Sequence, residues 1–197
     1  MRQKWASWSS NGSNEIRSSG ACVKLEVERE FVLAYTGTSE QAIAFVQNVS
    51  VSLAYVSFIR NLRLEGSDIF ADLRIDAPII GEQNLDFHSR LEPTADGAKL
   101  IALERTGKAW AEVAGQAHVT ADTGQASGAA DTGQAGGAAS SIRYQLRIVI
   151  HLELPVTDRW GGRAFEKMAH ATAQRSVERL SLEFPNGVLA AMPASVG

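Results

Sequence analysis

The chain has 197 residues, of which 45% are hydrophobic and 21% charged, a balance that indicates one globular domain with a sizeable core. Its 19 Lys and Arg against 22 Asp and Glu give a net charge of −3, which argues against a nucleic-acid partner. The apolar runs fall short of the roughly 20 residues that a membrane helix needs, and Cys22 alone cannot form an internal disulfide. We therefore expect a cytoplasmic protein without a transmembrane segment.

Three segments lack a hydrophobic pattern. Residues 1–22 are rich in Ser, Asn and Gly, which predicts a flexible leader. Residues 121–138 contain ADTGQASGA followed by ADTGQAGGA, and this repeat predicts a low-complexity loop inserted into a hairpin. Residues 185–197 are expected to form a tail, which leaves 23–184 as a single domain.

The domain is predicted to open with a strand and two short helices. Apolar and charged residues alternate from Val23 to Ala34, as in a half-buried strand. Thr38 and Gln41 have the spacing of a capping box, which predicts a helix directly after Thr38. A second short helix is expected at residues 49–54.

From Tyr55 onward the hydrophobic pattern keeps a period of two for about 100 residues, which predicts six further strands. Turn signals at Gly66-Ser67, Asp96-Gly97 and Thr106-Gly107 predict consecutive hairpins, and the last strand is expected from Ile142 to Leu154. Two-residue turns fix the register of these hairpins. They place Arg60 opposite Leu73, Ser89 opposite Glu104, Leu91 opposite Ala102, and Ala102 opposite Ala111.

The final element is predicted to be a helix from Trp160 to Phe184, with apolar residues at helical spacing. Large side chains occur near its ends, whereas Thr172 and Ser176 lie in the middle. Small residues there either bring the helix close to the sheet or leave a hollow beneath it.

This order of elements resembles the helix-grip fold of the START, polyketide cyclase and plant pathogenesis-related allergen superfamily. Local motifs are similar to the G-subunit family of carbon monoxide dehydrogenase: Ala77-Pro78-Ile79-Ile80-Gly81, Gly115-Gln116-Ala117-His118-Val119 and Trp160-Gly161-Gly162-Arg163. The resemblance covers residues 23–184. It implies an α+β fold in which a seven-stranded antiparallel sheet wraps around a long C-terminal helix, with two short helices between strands 1 and 2. It also implies a hydrophobic ligand between sheet and helix, in a superfamily where a minority of members are enzymes.

Polar residues on the predicted apolar face point to the same space. Burial of a charge is costly unless it is paired, so such groups either orient the polar part of a ligand or form an ion pair in the core. The sequence leaves both interpretations open. The candidate cavity residues are Arg29, Phe31, Phe58, Arg60, Phe87, Ser89, Glu104, Tyr144, Phe165, Met168 and Thr172.

The sequence contains none of the familiar nucleophile, zinc-protease, phosphate-loop or dinucleotide motifs. The predicted registers place His118 and His151 too far apart to share a metal, so no metal site and no cofactor is expected. We therefore favour binding without catalysis. A weaker alternative is a cyclase or hydrolase that uses Glu104 as acid or base, with Arg29 or Arg60 stabilising charge.

The opposite face of the predicted sheet carries apolar side chains of its own: Ile101, Leu103, Trp110 and Val149. Clustered exposed apolar groups indicate a partner surface, here most simply a symmetric homodimer. The alternative function is accordingly an interaction or accessory protein with a solid core, acting through this sheet surface.

Overall fold

A computed structural model describes residues 21–77, 81–121, 139–154 and 163–193. Seven strands form one sheet in the order β1-β7-β6-β5-β4-β3-β2. The elements are β1 (Ala21–Thr36), α1 (Ser39–Gln47), α2 (Val49–Ser52), β2 (Ile59–Glu65), β3 (Asp68–Ala77), β4 (Gly81–Thr94), β5 (Gly97–Ala102), β6 (Ala109–Ala121), β7 (Ala139–Leu154) and α3 (Arg163–Ala191). The predicted α+β helix-grip architecture is confirmed, with two short helices between the first two strands and a long helix after the last.

The start of α1 is set by the predicted capping box. The Thr38 hydroxyl accepts a hydrogen bond from the Gln41 backbone N–H at 3.3 Å, and the Gln41 side chain accepts one from the Thr38 N–H at 3.0 Å. These bonds satisfy two of the backbone donors that a helix leaves unpaired at its N-terminus. The helix then buries Ala42, Phe45 and Val46 against the sheet.

The two faces of the sheet differ as the alternation predicts. β1 and β7 pair without interruption from Ala21 opposite Leu154 to Thr36 opposite Ala139. On the inner face, which α3 covers, the described apolar side chains of these strands are buried, except that Phe31 and Tyr144 are half-buried. On the outer face, charged residues form cross-strand pairs such as Arg147 with Glu26 at 2.7 Å. Such pairs are largely solvated and add little stability.

The β2–β3 hairpin departs from the predicted register. A β-bulge lies between Arg60 and Arg63, where Asn61 adopts a positive φ of 52°. The bulge shifts the pairing, so Arg60 stands opposite Asp72 and not opposite the predicted Leu73. Because a one-residue shift moves a side chain to the other face, Arg60 is exposed and is absent from the inner face.

The β4–β5 turn lies one residue earlier than predicted, at residues 95–96. Gly97 was predicted as a turn residue but is the first residue of β5. A Cβ there would overlap the carbonyl oxygen of Ala117, so the glycine permits close approach of β6. The register moves by two positions, which keeps the faces but places Ser89 opposite Ala102 and not opposite Glu104.

The predicted antiparallel pairing of β5 with β6 is present, but its register differs by two positions, from Gly97 opposite His118 to Leu100 opposite Gly115, and the connection is longer than two residues. β5 ends at Ala102, and residues 103–108 leave the sheet. β4 and β6 then pair directly, with Phe87 opposite Ala111, so the predicted pair of Ala102 with Ala111 does not form. Glu104 lies in this segment between β5 and β6 and is exposed, so it is not on the inner face.

The helix α3 runs further than predicted. It passes through Pro185 and ends at Ala191, so residues 185–191 are helical rather than part of an unpatterned tail. Proline removes one backbone hydrogen bond from a helix. The helix persists here because Phe184 and Val188, on either side of the proline, are both buried.

Some predicted features lie outside the described residues. These are residues 1–20 of the leader, the repeat from 122 to 138 and the expected first turn of the last helix at 160–162; Ala21 and Cys22 already belong to β1. Within the described part of the chain, no helix is both long and apolar enough to cross a membrane.

Candidate functional site

The candidate site is the space between the inner face of the sheet and α3. The principal contacts of α3 with the sheet are to β1, at one edge, and to β3, next to the other edge. The helix therefore crosses the inner face from side to side. Its buried positions Leu180, Phe184 and Val188 recur every four residues, which is the spacing of one helical face.

Four aromatic rings meet where the C-terminal half of α3 packs on the sheet, and one of them, Phe184, belongs to the helix. Phe31 stacks on Tyr144 with ring centroids 5.1 Å apart, and Phe184 lies 5.7 Å from Phe31 and 6.3 Å from Tyr144. Phe58 contacts Phe184 at 6.3 Å. The sequence singled out three of these rings. It missed Phe184 as a site residue, although its helical spacing already placed it on the buried face of the helix.

The hydroxyl of Tyr144 is the unusual polar group of this cluster. It is buried, yet it has no hydrogen-bond partner within the described structure. Burial raises the pKa of this hydroxyl above its usual range, so it is a neutral donor at physiological pH. Most buried hydroxyls in folded proteins are paired, so an unpaired donor among aromatic rings marks a position where an acceptor would bind favourably.

Ser89, in contrast, is already satisfied. Its side chain is fully buried on β4, and its hydroxyl donates a hydrogen bond to the Val113 carbonyl at 2.7 Å. This bond joins β4 to β6 near the end of β5, where the two strands come together. The serine therefore has a structural partner and does not present a free donor to a ligand.

The remaining candidates divide by position. Arg29 lies on the inner face of β1 opposite Leu146, is half-buried and is engaged in an interaction. Phe87 is buried on the inner face of β4. Thr172 is half-buried and engaged on α3, where its carbonyl accepts a hydrogen bond from Ser176 at 3.3 Å. The side chains of Phe165 and Met168 lie outside what the structure describes.

The structure does not bring the predicted charged residues together. Arg60 and Glu104 are both exposed, the first because of the bulge in β2 and the second because it follows the end of β5. Glu104 therefore forms no ion pair in the core, which was one of the two interpretations that the sequence left open. Of the three charged candidates, Arg29 alone lies on the inner face.

The predicted partner surface on the outer face is smaller than expected. Val149 is fully buried, because it lies between two strands whose charged side chains flank it. Trp110 is half-buried and stacks on His151 with ring centroids 3.8 Å apart, and the His151 ring lies 2.9 Å from the Glu112 carboxylate. Ile101 and Leu103 are half-buried as well.

The histidines pair with carboxylates one at a time. His88 contacts Asp68 at 3.2 Å, and His118 contacts Asp96 at 2.6 Å. Within the described ranges, no group of three or more His, Cys, Asp or Glu side chains is arranged to hold a metal ion.

Two surface grooves flank α1. One, of about 360 Å³, lies between the α1–α2 junction and the β2–β3 turn, and the other, of about 650 Å³, lies between α1, the end of β1 and the end of α3. Ala44 and Asn48 line both grooves, and none of the described residues that line them is charged. None of the four clustered rings lines either groove.

Solved structures of similar shape have low sequence identity to this chain. A Thermus thermophilus protein is 15% identical, with a TM-score of 0.46, and the match covers 86% of this chain and 99% of that one. The Zhui aromatase/cyclase from Streptomyces sp. R1128 is 13% identical, with a TM-score of 0.46 and coverage of 84% and 93%. A START superfamily protein from Mycobacterium smegmatis is 12% identical, with a TM-score of 0.40 and coverage of 81% and 97%.

At the level of sequence, no curated protein matches the chain. A family profile does match, and its description is "Protein of unknown function (DUF3809)". The match covers residues 30–182, from the middle of β1 to the C-terminal part of α3. It therefore includes most of the sheet and three of the four clustered rings, those of Phe31, Phe58 and Tyr144, whereas Phe184 lies two residues beyond it. The chain belongs to the DUF3809 family.

Proposed function

We propose that the protein binds an apolar small molecule that carries a hydrogen-bond acceptor, between the inner face of the sheet and α3, without catalysing a reaction. The observation that carries this proposal is the buried Tyr144 hydroxyl, which lacks a partner within the described residues. An unpaired buried donor costs about 1–3 kcal/mol. An acceptor on a bound ligand removes that cost, so binding of such a ligand is favoured over binding of a pure hydrocarbon.

The surroundings of the hydroxyl support a ligand that is otherwise apolar. The Tyr144 ring is stacked on Phe31 and meets the edge of Phe184, so the walls near the donor are aromatic. Binding sites for small molecules commonly combine apolar walls with a few polar groups that fix the orientation of the ligand. Tyr144 would be that polar group here.

The placement of the charged residues supports binding over catalysis. The enzyme alternative requires Glu104 as an acid or base beside Arg29 or Arg60. Glu104 and Arg60 are exposed outside the inner face, and a general acid must lie within hydrogen-bonding reach of the reacting group. A ligand near Tyr144 would therefore be surrounded by aromatic rings, and the Glu104 carboxylate would not reach it.

The test is the variant Tyr144→Phe, with Nile red as the probe because this uncharged dye is apolar and has a carbonyl acceptor. Loss of the hydrogen bond should weaken dye binding about tenfold, as expected for about 1.4 kcal/mol. Without dye, the variant should be as stable as the wild type or more stable, because it no longer buries an unpaired donor.

The matched control is Tyr35→Phe. Tyr35 is another inner-face tyrosine of the sheet and is buried, but its ring packs on Phe45 of α1 at 5.6 Å and is not one of the four clustered rings. Dye binding should be unchanged in this variant. Equal dye affinity of Tyr144→Phe and wild type would contradict the proposal, as would a loss of stability in Tyr144→Phe without dye.

A further inference from the structure

The two edges of the sheet are protected to different degrees. An edge strand exposes unpaired backbone groups, and natural proteins block them with short strands, bulges, prolines or charges. β2, one edge, is short, carries the bulge at Asn61 and exposes Arg60 and Arg63. This edge has three of the usual protections.

β1, the other edge, is neither short nor interrupted by a bulge or a proline, and its exposed charged residues are confined to Lys24–Glu30. It is 16 residues long, contains no proline and pairs with β7 in an unbroken register. No described strand lies on its other side. Its last six residues, Phe31–Thr36, read FVLAYT, a stretch that is uncharged and rich in residues that favour strands. Val32, in this stretch, projects from the outer face with 54% of its surface exposed.

The charges on β1 discriminate between ways in which two copies could pair. Three carboxylates occupy alternate positions on the outer face before this uncharged stretch, at Glu26, Glu28 and Glu30. Antiparallel pairing about a two-fold axis at Glu28 would bring these carboxylates face to face, which is destabilising. Pairing about an axis at Val32 places Glu30 opposite Ala34 and Glu28 opposite Thr36, so no like charges meet.

We propose that the protein forms a symmetric homodimer in which the β1 strands of two copies pair antiparallel, with the two-fold axis at Val32. The sheet then continues across both copies, and backbone hydrogen bonds form between residues 28–36 of each strand. The side chains of Leu33 and Tyr35 remain buried within their own copy. This dimer does not depend on a ligand under α3.

The first test is the molar mass of the full chain by sedimentation over a concentration series. The wild type should be a dimer, and Val32→Lys should dissociate at least about tenfold more readily, because two lysines face each other at the axis. The control is Leu64→Lys, which changes a side chain of 44% exposure on the opposite edge strand β2. It should remain dimeric.

The second test places a cysteine at the axis. In a Cys22→Ser background, which removes the natural thiol of the chain, Val32→Cys should form an intermolecular disulfide under mild oxidation. Directly opposed residues of antiparallel strands have Cα atoms about 4.5–5.5 Å apart, within the range of a disulfide. Leu64→Cys should not cross-link.

A monomeric wild type would overturn the proposal. So would a Val32→Lys variant that stays dimeric without cross-linking of Val32→Cys, because another surface would then hold the dimer. Equal dissociation of Val32→Lys and Leu64→Lys would also overturn it.

Discussion

Two buried hydroxyls on the inner face, those of Ser89 and Tyr144, differ in whether they have a hydrogen-bond partner. Ser89 donates to the Val113 carbonyl and so joins two strands. Tyr144 has no such acceptor within the described structure. Hydroxyl burial alone therefore does not distinguish a structural residue from a binding residue, whereas the presence or absence of a partner does.

The role of Ser89 leads to a prediction about stability. Ser89→Ala should lower the free energy of unfolding by about 1–2 kcal/mol, because a buried hydrogen bond is lost. Urea denaturation measures this change. Ser57→Ala is the control, since its hydroxyl bonds the Glu183 carboxylate at an exposed position and should matter much less. Equal effects of the two substitutions would contradict the structural role of Ser89.

Asp68 makes stability depend on pH. The hydrogen bond from Arg90 holds the pKa of the Asp68 carboxyl below its ordinary value, and His88 adds a smaller effect in the same direction. A group whose pKa is lowered by folding contributes stability above its unfolded pKa, and that contribution is lost as the pH falls through the folded pKa.

The substitution Asp68→Asn tests this linkage. The wild type should be more stable than the variant at neutral pH. The difference should begin to shrink below about pH 4, where the unfolded carboxyl becomes protonated, and should disappear once the pH falls through the lower pKa of the folded carboxyl. Chemical denaturation at a series of pH values gives the two curves. Parallel curves over the whole range would contradict the assignment.

At the scale of elements, the C-terminal end of α3 is fixed by close packing on the segment after α2. A Cβ at Gly187 would lie 2.7 Å from the Cα of Val56 and 2.9 Å from the carbonyl oxygen of Tyr55. Neither backbone atom can move easily, so Gly187→Ala should destabilise the protein by about 1–3 kcal/mol, as overpacking does.

The control for this substitution is Gly107→Ala, because a Cβ at Gly107 meets nothing within 4 Å. Thermal denaturation of both variants compares them under the same conditions. If Gly187→Ala melts at the same temperature as Gly107→Ala, the last turns of α3 are not packed as closely as described.

Elements with strong local signals were predicted well from the sequence. The capping box at Thr38 and the alternation in β1 and β7 each depend on residues close in the chain. The registers of the middle hairpins were harder to predict, because they depend on contacts between distant strands. The bulge at Asn61 and the early end of β5 at Ala102 have no turn signal of their own.

The same distinction explains which site residues were found. Phe31, Phe58 and Tyr144 were identified because apolar alternation places them on the inner face, and the structure brings their rings together around Phe184. Arg60 and Glu104 were assigned through hairpin registers that the bulge and the strand end alter. Apolar alternation therefore located the inner-face residues more reliably than the hairpin registers located the charged ones.

At the scale of the whole molecule, the repeat between β6 and β7 is expected to be dispensable. The two strands already pair up to Ala121 opposite Ser140, so a tight turn could connect them there. Joining these residues through Asn-Gly should change the free energy of unfolding by about 1 kcal/mol or less, since closure entropy varies slowly with loop length. A much larger loss in urea denaturation would show that the repeat packs on the domain.

The central claim is that the space under α3 holds a ligand whose acceptor pairs with Tyr144. The most direct measurement is a crystal structure of the protein purified from its native host. We expect electron density for a small molecule between α3 and the sheet, with an oxygen or nitrogen about 2.5–3.0 Å from the Tyr144 hydroxyl. A hydroxyl that donates to a side chain of the protein, in a space filled by its own residues, would contradict the account.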